Sequence, residues 1–139
     1  MNKMNQELKK ASKTGCVEVV KALLKCGADV HAENDYALRL ASYHGHYEIV
    51  KILLENGANV HAENDYALRW ASDNGHLEIV KVLLENGVNV HVDNSMKYAY
   101  KNGNTKMIKV LKDHIKVEYI TISKKEYENL LETVKKSEE

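Results

Sequence analysis

The chain has 139 residues, and its 20 Lys and Arg are balanced by 20 Asp and Glu, so the formal net charge is zero. That length is one domain's worth of chain, and the balance excludes a whole-domain nucleic-acid or membrane footprint. Its only cysteines, Cys16 and Cys26, form no CxxC or Cys/His zinc spacing, no apolar run approaches the ~20 residues of a membrane span, and MNKMNQELKK has no signal-peptide core, so the chain reads as intracellular and reduced.

Residues 1–30 open with a polar first helix bearing Lys9 and Lys10. They keep Leu8, Ala11, Gly15, Val19, Leu23 and Gly27 at the spacing of everything that follows. A repeat with a polar outer face is what the end of a repeat array requires. Residues 31–60 and 61–90 are then one phrase written twice, identical at 24 of 30 positions. In each, Asp35 or Asp65 stands where a helix N-cap belongs. Leu38 and Ala41 (Leu68 and Ala71) form the apolar face of a first helix. Gly45 (Gly75) stands as a left-handed stop. A second helix follows with its apolar face at Ile49, Val50, Leu53 and Leu54 (Ile79, Val80, Leu83 and Leu84), ended by Gly57 (Gly87). Val19, Val20, Leu23 and Leu24 write the same face in the first repeat. Neither helix pair can bury so broad a face alone, so neighbouring pairs must stack.

A worn fourth repeat spans 91–114, matching the third at an offset of 28 from Ala99 onward. Gly103, Met107, Ile108 and Leu111 keep their places, Lys112 replaces Leu84, and no glycine ends the second helix. The segment 117–123, VEYITIS, alternates like a short strand. Ser123 and Glu126 make a capping box, and Tyr127, Leu130, Leu131 and Val134 line one face of a C-terminal helix. The expected domains are therefore a repeat stack over 1–114, in units 1–30, 31–60, 61–90 and 91–114, and a strand-like segment plus helix over 115–139. That helix is expected to cap the open end of the stack, with docking of a partner as the alternative.

The positions at which the two copies differ are informative. Two are mild, Ile52 against Val82 and Ala58 against Val88. The other four are chemically large: Leu40 against Trp70, Tyr43 against Asp73, His44 against Asn74, and Tyr47 against Leu77. The first three pairs lie at i, i+3 and i+4, one face of a helix. A fixed scaffold with one varied stripe is the pattern of a binding array rather than of an enzyme.

The phrases L-x-x-A-x-x-x-G-H and I/V-V-x-x-L-L-x-x-G-A, read at Leu38 through Ala58 and Leu68 through Val88, resemble ankyrin repeats. The resemblance covers about residues 5–114. It implies an all-α solenoid of helix-turn-helix repeats joined by short β-hairpins, which binds another protein through its concave face. The phrase DYALRWAS-x-NGHLEIVK, Asp65 to Lys81, is similar to the short repeat variety of giant viruses that infect amoebae. That implies a viral protein acting in a host cell. The expected setting is the host cytoplasm, and the expected partner of the monomer is a host protein, with no nucleic-acid, membrane or small-molecule ligand. A self-assembling viral component, or an adaptor to a ubiquitin ligase, is the alternative. The repeat here has 30 residues where the family has about 33, the shortfall falling in the hairpin. The TPLH of the family is replaced by Tyr36-Ala37-Leu38-Arg39 and Tyr66-Ala67-Leu68-Arg69.

Expected contact residues are the hairpin tips, Glu33, Asn34, Glu63 and Asn64, and the varied stripe: Leu40, Tyr43, His44, Tyr47, Trp70, Asp73, Asn74 and Leu77, with Tyr98, Lys101 and Asn102 in the fourth repeat. Trp70, Tyr43 and Tyr98 are the expected anchors, because aromatic residues are enriched at interface hot spots. His31, His61 and His91 recur at thirty, but adjacent helices pack ~8–10 Å apart and zinc needs nitrogens at ~2.0–2.1 Å. They read as packing residues, and His46 and His76 as partners of backbone in the turns. HExxH, Walker A, GxSxG and Rossmann patterns are all lacking. The sequence therefore predicts no enzyme, no cofactor and no metal site.

Overall fold

A computed structural model describes residues 2–88, 95–118 and 124–138. Helices α1 (Lys3–Thr14) and α2 (Val17–Lys25) form the first repeat, α3 (Ala32–His44) and α4 (Tyr47–Glu55) the second, and α5 (Ala62–Asp73) and α6 (Leu77–Glu85) the third. They are followed by α7 (Ser95–Lys101), α8 (Thr105–Glu118) and α9 (Lys124–Ser137). The chain divides into two compact units, Met1–Asn89 and Val90–Glu139. The architecture is all-α, with the paired, stacked helices that the helix and glycine periods predict and the ankyrin resemblance implies.

In the first unit the apolar positions go where their periodicity sends them. Leu38, Ala41, Ile49, Val50, Leu53, Leu68, Ala71, Ile79, Val80 and Leu83 are all sealed from solvent. The first helices α1, α3 and α5 pack closely on one another, and α2, α4 and α6 more sparsely. Small residues permit the close row: Ala11 and Ser12, Ala41 and Ser42, Ala71 and Ser72 are buried in the seams. In α2 the expected face is only partly covered. Val20 is buried, Leu23 and Leu24 are half-buried, and Val19 is exposed.

The connections differ from expectation. Among the described residues there is no strand, so the short hairpins are replaced by a tight turn. Glu33, Asn34 and Asp35 have φ of 55°, 57° and 55°, and Glu63, Asn64 and Asp65 have 55°, 56° and 57°. A chain three residues short of the family's length cannot lay out two paired strands, and it reverses through three left-handed residues instead. Such residues cost about 1–2 kcal/mol each, least for Asn and Asp, so something must hold them. Arg39 does so in the second repeat, donating from Nε to Asn34 O at 3.1 Å and from its terminal nitrogen to Glu33 O at 2.9 Å.

In the second unit, α8 runs 14 residues where α4 and α6 run 9. No glycine stops it, and it continues through Val117 and Glu118, the start of the segment read as a strand. The rest of that segment, the Ser123 cap and His91 lie outside the described residues, as does the side chain of Tyr127. Met96, Ala99, Met107, Leu111, Ile115 and Val134 are buried. Tyr100 of α7 donates to Glu138, just past α9, at 2.5 Å, and Lys112 of α8 reaches the same carboxylate at 3.7 Å. Lys112, the polar replacement for a core leucine, is thus exposed and turned toward the end of α9.

Candidate binding surface

Three devices repeated along the first unit position its surface. The first is a carboxylate or amide near the start of each repeat that holds the backbone at the end of the same repeat. Asn5 Oδ1 accepts the Asp29 backbone N–H at 2.9 Å, and Asp35 Oδ1 accepts that of Asn59 at 2.8 Å. Asp35, expected as an N-cap of its own helix, is buried and instead holds the far end of its own repeat. It also faces His31 Nδ1 at 2.9 Å, as Asp65 faces His61 Nδ1 at 2.7 Å. A carboxylate only accepts, so Nδ1 carries the proton in both rings.

The second device is the histidine after each turn glycine. His46 Nε2 donates to Lys13 O and His76 Nε2 to Tyr43 O, both at 2.9 Å. The bonds go to backbone, as expected, but to that of the preceding repeat. They also explain the glycines there: a Cβ at Gly15 or Gly45 would stand 2.7 Å from the His46 or His76 ring. With φ of 86° and 80° at these two positions, glycine is required for both its conformation and its lack of a side chain.

The third device was not anticipated from the sequence. Cations and rings alternate across the repeats. Lys9 lies 5.4 Å from the Tyr36 ring centre, Arg39 4.7 Å from that ring and 5.9 Å from Tyr66, and Arg69 4.7 Å from Tyr66. Such contacts contribute ~0.5–2 kcal/mol each, more when desolvated. Tyr36, Arg39, Tyr66 and Arg69 do not vary between copies, so the varied stripe does not include them. The signal was a Tyr and an Arg at i, i+3, recurring at thirty.

Upon this frame sit the predicted contact residues. Glu33, Asn34, Glu63 and Asn64 are exposed on the left-handed turns, with Lys9 paired to Glu33 at 3.0 Å and Asn34 donating to Glu63 at 2.8 Å. Tyr43 is 42% exposed and Tyr47 37%. Tyr43 meets Trp70 edge-on at 5.0 Å between ring centres, and Trp70 meets Tyr66 at 4.1 Å. The structure therefore brings two expected anchors together and adds Tyr66. Leu40 departs from expectation: it is 8% exposed and unavailable for contact. A leucine is small enough to be enclosed in the seam, whereas the larger, half-buried indole at 70 extends to Tyr43 and Tyr66.

His44 is exposed and stacks on His46 with ring centres 6.2 Å apart. Partial burial, then His46, Lys13 and His76, push its pKa below the usual imidazole value. Asp73 and Asn74 are exposed and Leu77 is half-buried, and the Asn74 side chain donates to Trp70 O at 2.8 Å, closing α5. In the second unit, α7 carries Tyr98, half-buried, and Lys101, exposed, with Asn102 exposed just beyond it. Cys16 and Cys26 are exposed free thiols. Among the described residues no group of His, Cys, Asp or Glu is placed to hold a metal ion, and no helix is long and apolar enough to cross a membrane.

A stack of helix pairs with a row of close-packed first helices, turn glycines filled by the following histidine, and exposed or half-buried aromatics on that row defines a helical repeat scaffold. The family profile described as Ankyrin repeats (3 copies) matches residues 8–94 and again 62–121. The chain belongs to the ankyrin-repeat family, whose repeats generally mediate protein–protein interaction and are not catalytic modules. No curated protein matches the chain.

Proposed function

We propose that this protein recognises another protein through the concave, first-helix face of its repeat stack, by a preformed surface and without catalysis. The observation that carries the reading is the aromatic pair of exposed Tyr43 and half-buried Trp70, held on a frame whose other positions scarcely differ between copies. Tyr43, Trp70 and Tyr98 are the anchors. Glu33, Asn34, Glu63, Asn64, His44, Tyr47 and Leu77 complete the contact surface, and Asp73, Asn74, Lys101 and Asn102 set its register and specificity. The family match runs to residue 121, which supports a fourth repeat over 91–114, and residues 115–139 cap that end. The partner is a single host protein, met in the host cytoplasm by a monomer. The short repeat and its DYALRWAS phrase, similar to giant-virus repeats, support that setting.

One observation favours a second reading, self-assembly: Val19 on α2 and Leu131 on α9 are also exposed. The test compares the natural chain with the Tyr43→Ser, Trp70→Ser, Tyr98→Ser variant, checked for folding by circular dichroism. Both are used as bait in amoebal host lysate and examined by sedimentation. A protein retained by the natural chain and lost by the variant is the expected result. Equal retention removes the stripe from the site, and a concentration-dependent sedimentation shift with no retained protein turns the reading to self-assembly.

A further inference from the structure

The ladder of cations and rings stops one ring short. Arg39 has a ring three residues before it, Tyr36, and a second from the next repeat, Tyr66; Arg69 has Tyr66 three residues before it. Lys9 has the ring of the next repeat, Tyr36, but three residues before it stands Gln6, where the second and third repeats have tyrosine. At that place the surface opens into a recess of about 260 Å³, lined by Asn5, Gln6, Lys9, Asp29, Glu33 and Tyr36 among others. Small-molecule pockets run ~300–1,000 Å³, so this recess suits one side chain rather than a cofactor.

The chemistry of the walls narrows which side chain. The carboxylates already have partners, Glu33 in Lys9 and Asp29 in the His31 backbone N–H, and the Asn5 carbonyl holds the Asp29 N–H. The Tyr36 ring already faces two cations, Lys9 and Arg39. A further cation would meet Lys9, and an aliphatic group would satisfy neither the ammonium nor the polar rim. A flat ring over the Lys9 side chain, with a polar edge toward Asn5, completes the pattern that the next two repeats make internally.

We infer that this recess is an aromatic-anchor subsite, and that it receives a tyrosine or tryptophan side chain of the partner in the place of the ring missing at position 6. This deepens the proposed function, since it names one chemical feature of the partner segment. Its test needs no partner. The isotope-labelled full chain is titrated with N-acetyl-tyrosinamide, N-acetyl-leucinamide and N-acetyl-argininamide at millimolar concentrations, and backbone amide shifts are read by NMR.

The tyrosine amide is expected to give saturable shifts clustered at residues 5, 6, 9, 29 and 36, and the other two amides are not. Gln6→Tyr supplies the ring from the chain itself and should abolish the response while raising the melting temperature. Lys9→Met keeps the stem, removes the charge and should weaken the response several-fold in a chain that remains folded. Equal shifts with leucine amide, no clustered shifts, or a full response in folded Gln6→Tyr would each overturn the inference. None of these results touches the Tyr43 and Trp70 comparison, so the subsite and the broader binding reading fail separately.

Discussion

Val19 and Ile49 hold the same place in successive repeats, at the start of α2 and of α4. Val19 is 44% exposed and Ile49 is fully buried. The residue types are nearly equivalent and the helices have the same length. What differs is the neighbour: α4 has the first repeat packed before it, and within the described residues nothing covers α2 on that side. Burial in this unit is therefore a property of position in the stack as much as of sequence. The same logic separates Gly45, whose missing Cβ is replaced by the His76 ring, from Gly57, which faces open space.

The sharpest way to break this comparison is to truncate both members of the first pair. Ile49→Ala should cost ~2–5 kcal/mol, as for a fully buried aliphatic chain, whereas Val19→Ala should stay within about 0.5 kcal/mol. Urea melts followed by circular dichroism decide it, and equal costs would mean that α2 is covered in solution. Next in size is Gly45→Ala against Gly57→Ala. Both carry the left-handed penalty of ~1–2 kcal/mol. Only the first also displaces a ring that makes a backbone hydrogen bond, which adds about 1 kcal/mol. The same melts should rank Gly45→Ala as the worse.

Third is Asp35→Ala, which leaves the Asn59 N–H without its acceptor and should cost ~1–3 kcal/mol. Hydrogen exchange at Asn59 and the residues of its turn should rise more than in α6, because the bond lost ties the turn after α4 to the start of its own repeat. The smallest effect belongs to the second unit. Burial and then the Glu138 hydrogen bond raise the Tyr100 pKa, and the Tyr100 hydrogen bond chiefly raises that of Lys112. Groups with raised values stabilise the fold below their ordinary pKa and lose that contribution as pH rises through the folded value. The contact is therefore expected to hold at neutral pH and to weaken well above pH ~10. An alkaline titration of α9 amide shifts should show this, and Tyr100→Phe should flatten it.

The stack was legible because its signals are local. Glycine at helix ends and apolar residues at helical spacing give the helix pairs and the core directly, as Leu53 and Gly45 show. The turn was not legible. A loss of three residues can be absorbed in several ways, and only the backbone angles of Glu33, Asn34 and Asp35, held by the Arg39 contacts to Glu33 O and Asn34 O, reveal that left-handed residues absorb it. The varied stripe named Tyr43 and Trp70 without their contact with each other, and the same rule enrolled Leu40, because variation between copies does not report depth. The ladder of Tyr36, Arg39, Tyr66 and Arg69 escaped for the opposite reason: residues that repeat unchanged look like scaffold even when part of each lies at the surface.

The bond from Asp35 to the Asn59 N–H has a counterpart one repeat earlier, from Asn5 to the Asp29 N–H. Each thirty-residue unit thus closes on itself, carrying at one end the acceptor that the backbone at its other end requires, while the junctions repeat the His46 and His76 bonds to the preceding unit. An unequal crossover that inserts a further thirty residues in frame creates no unmatched junction. Chain length in this lineage can therefore change by whole repeats without an intermediate that fails to fold, and a new stretch of recognition surface is acquired already supported, free to diverge at Tyr43 and Trp70 while its seams stay the same.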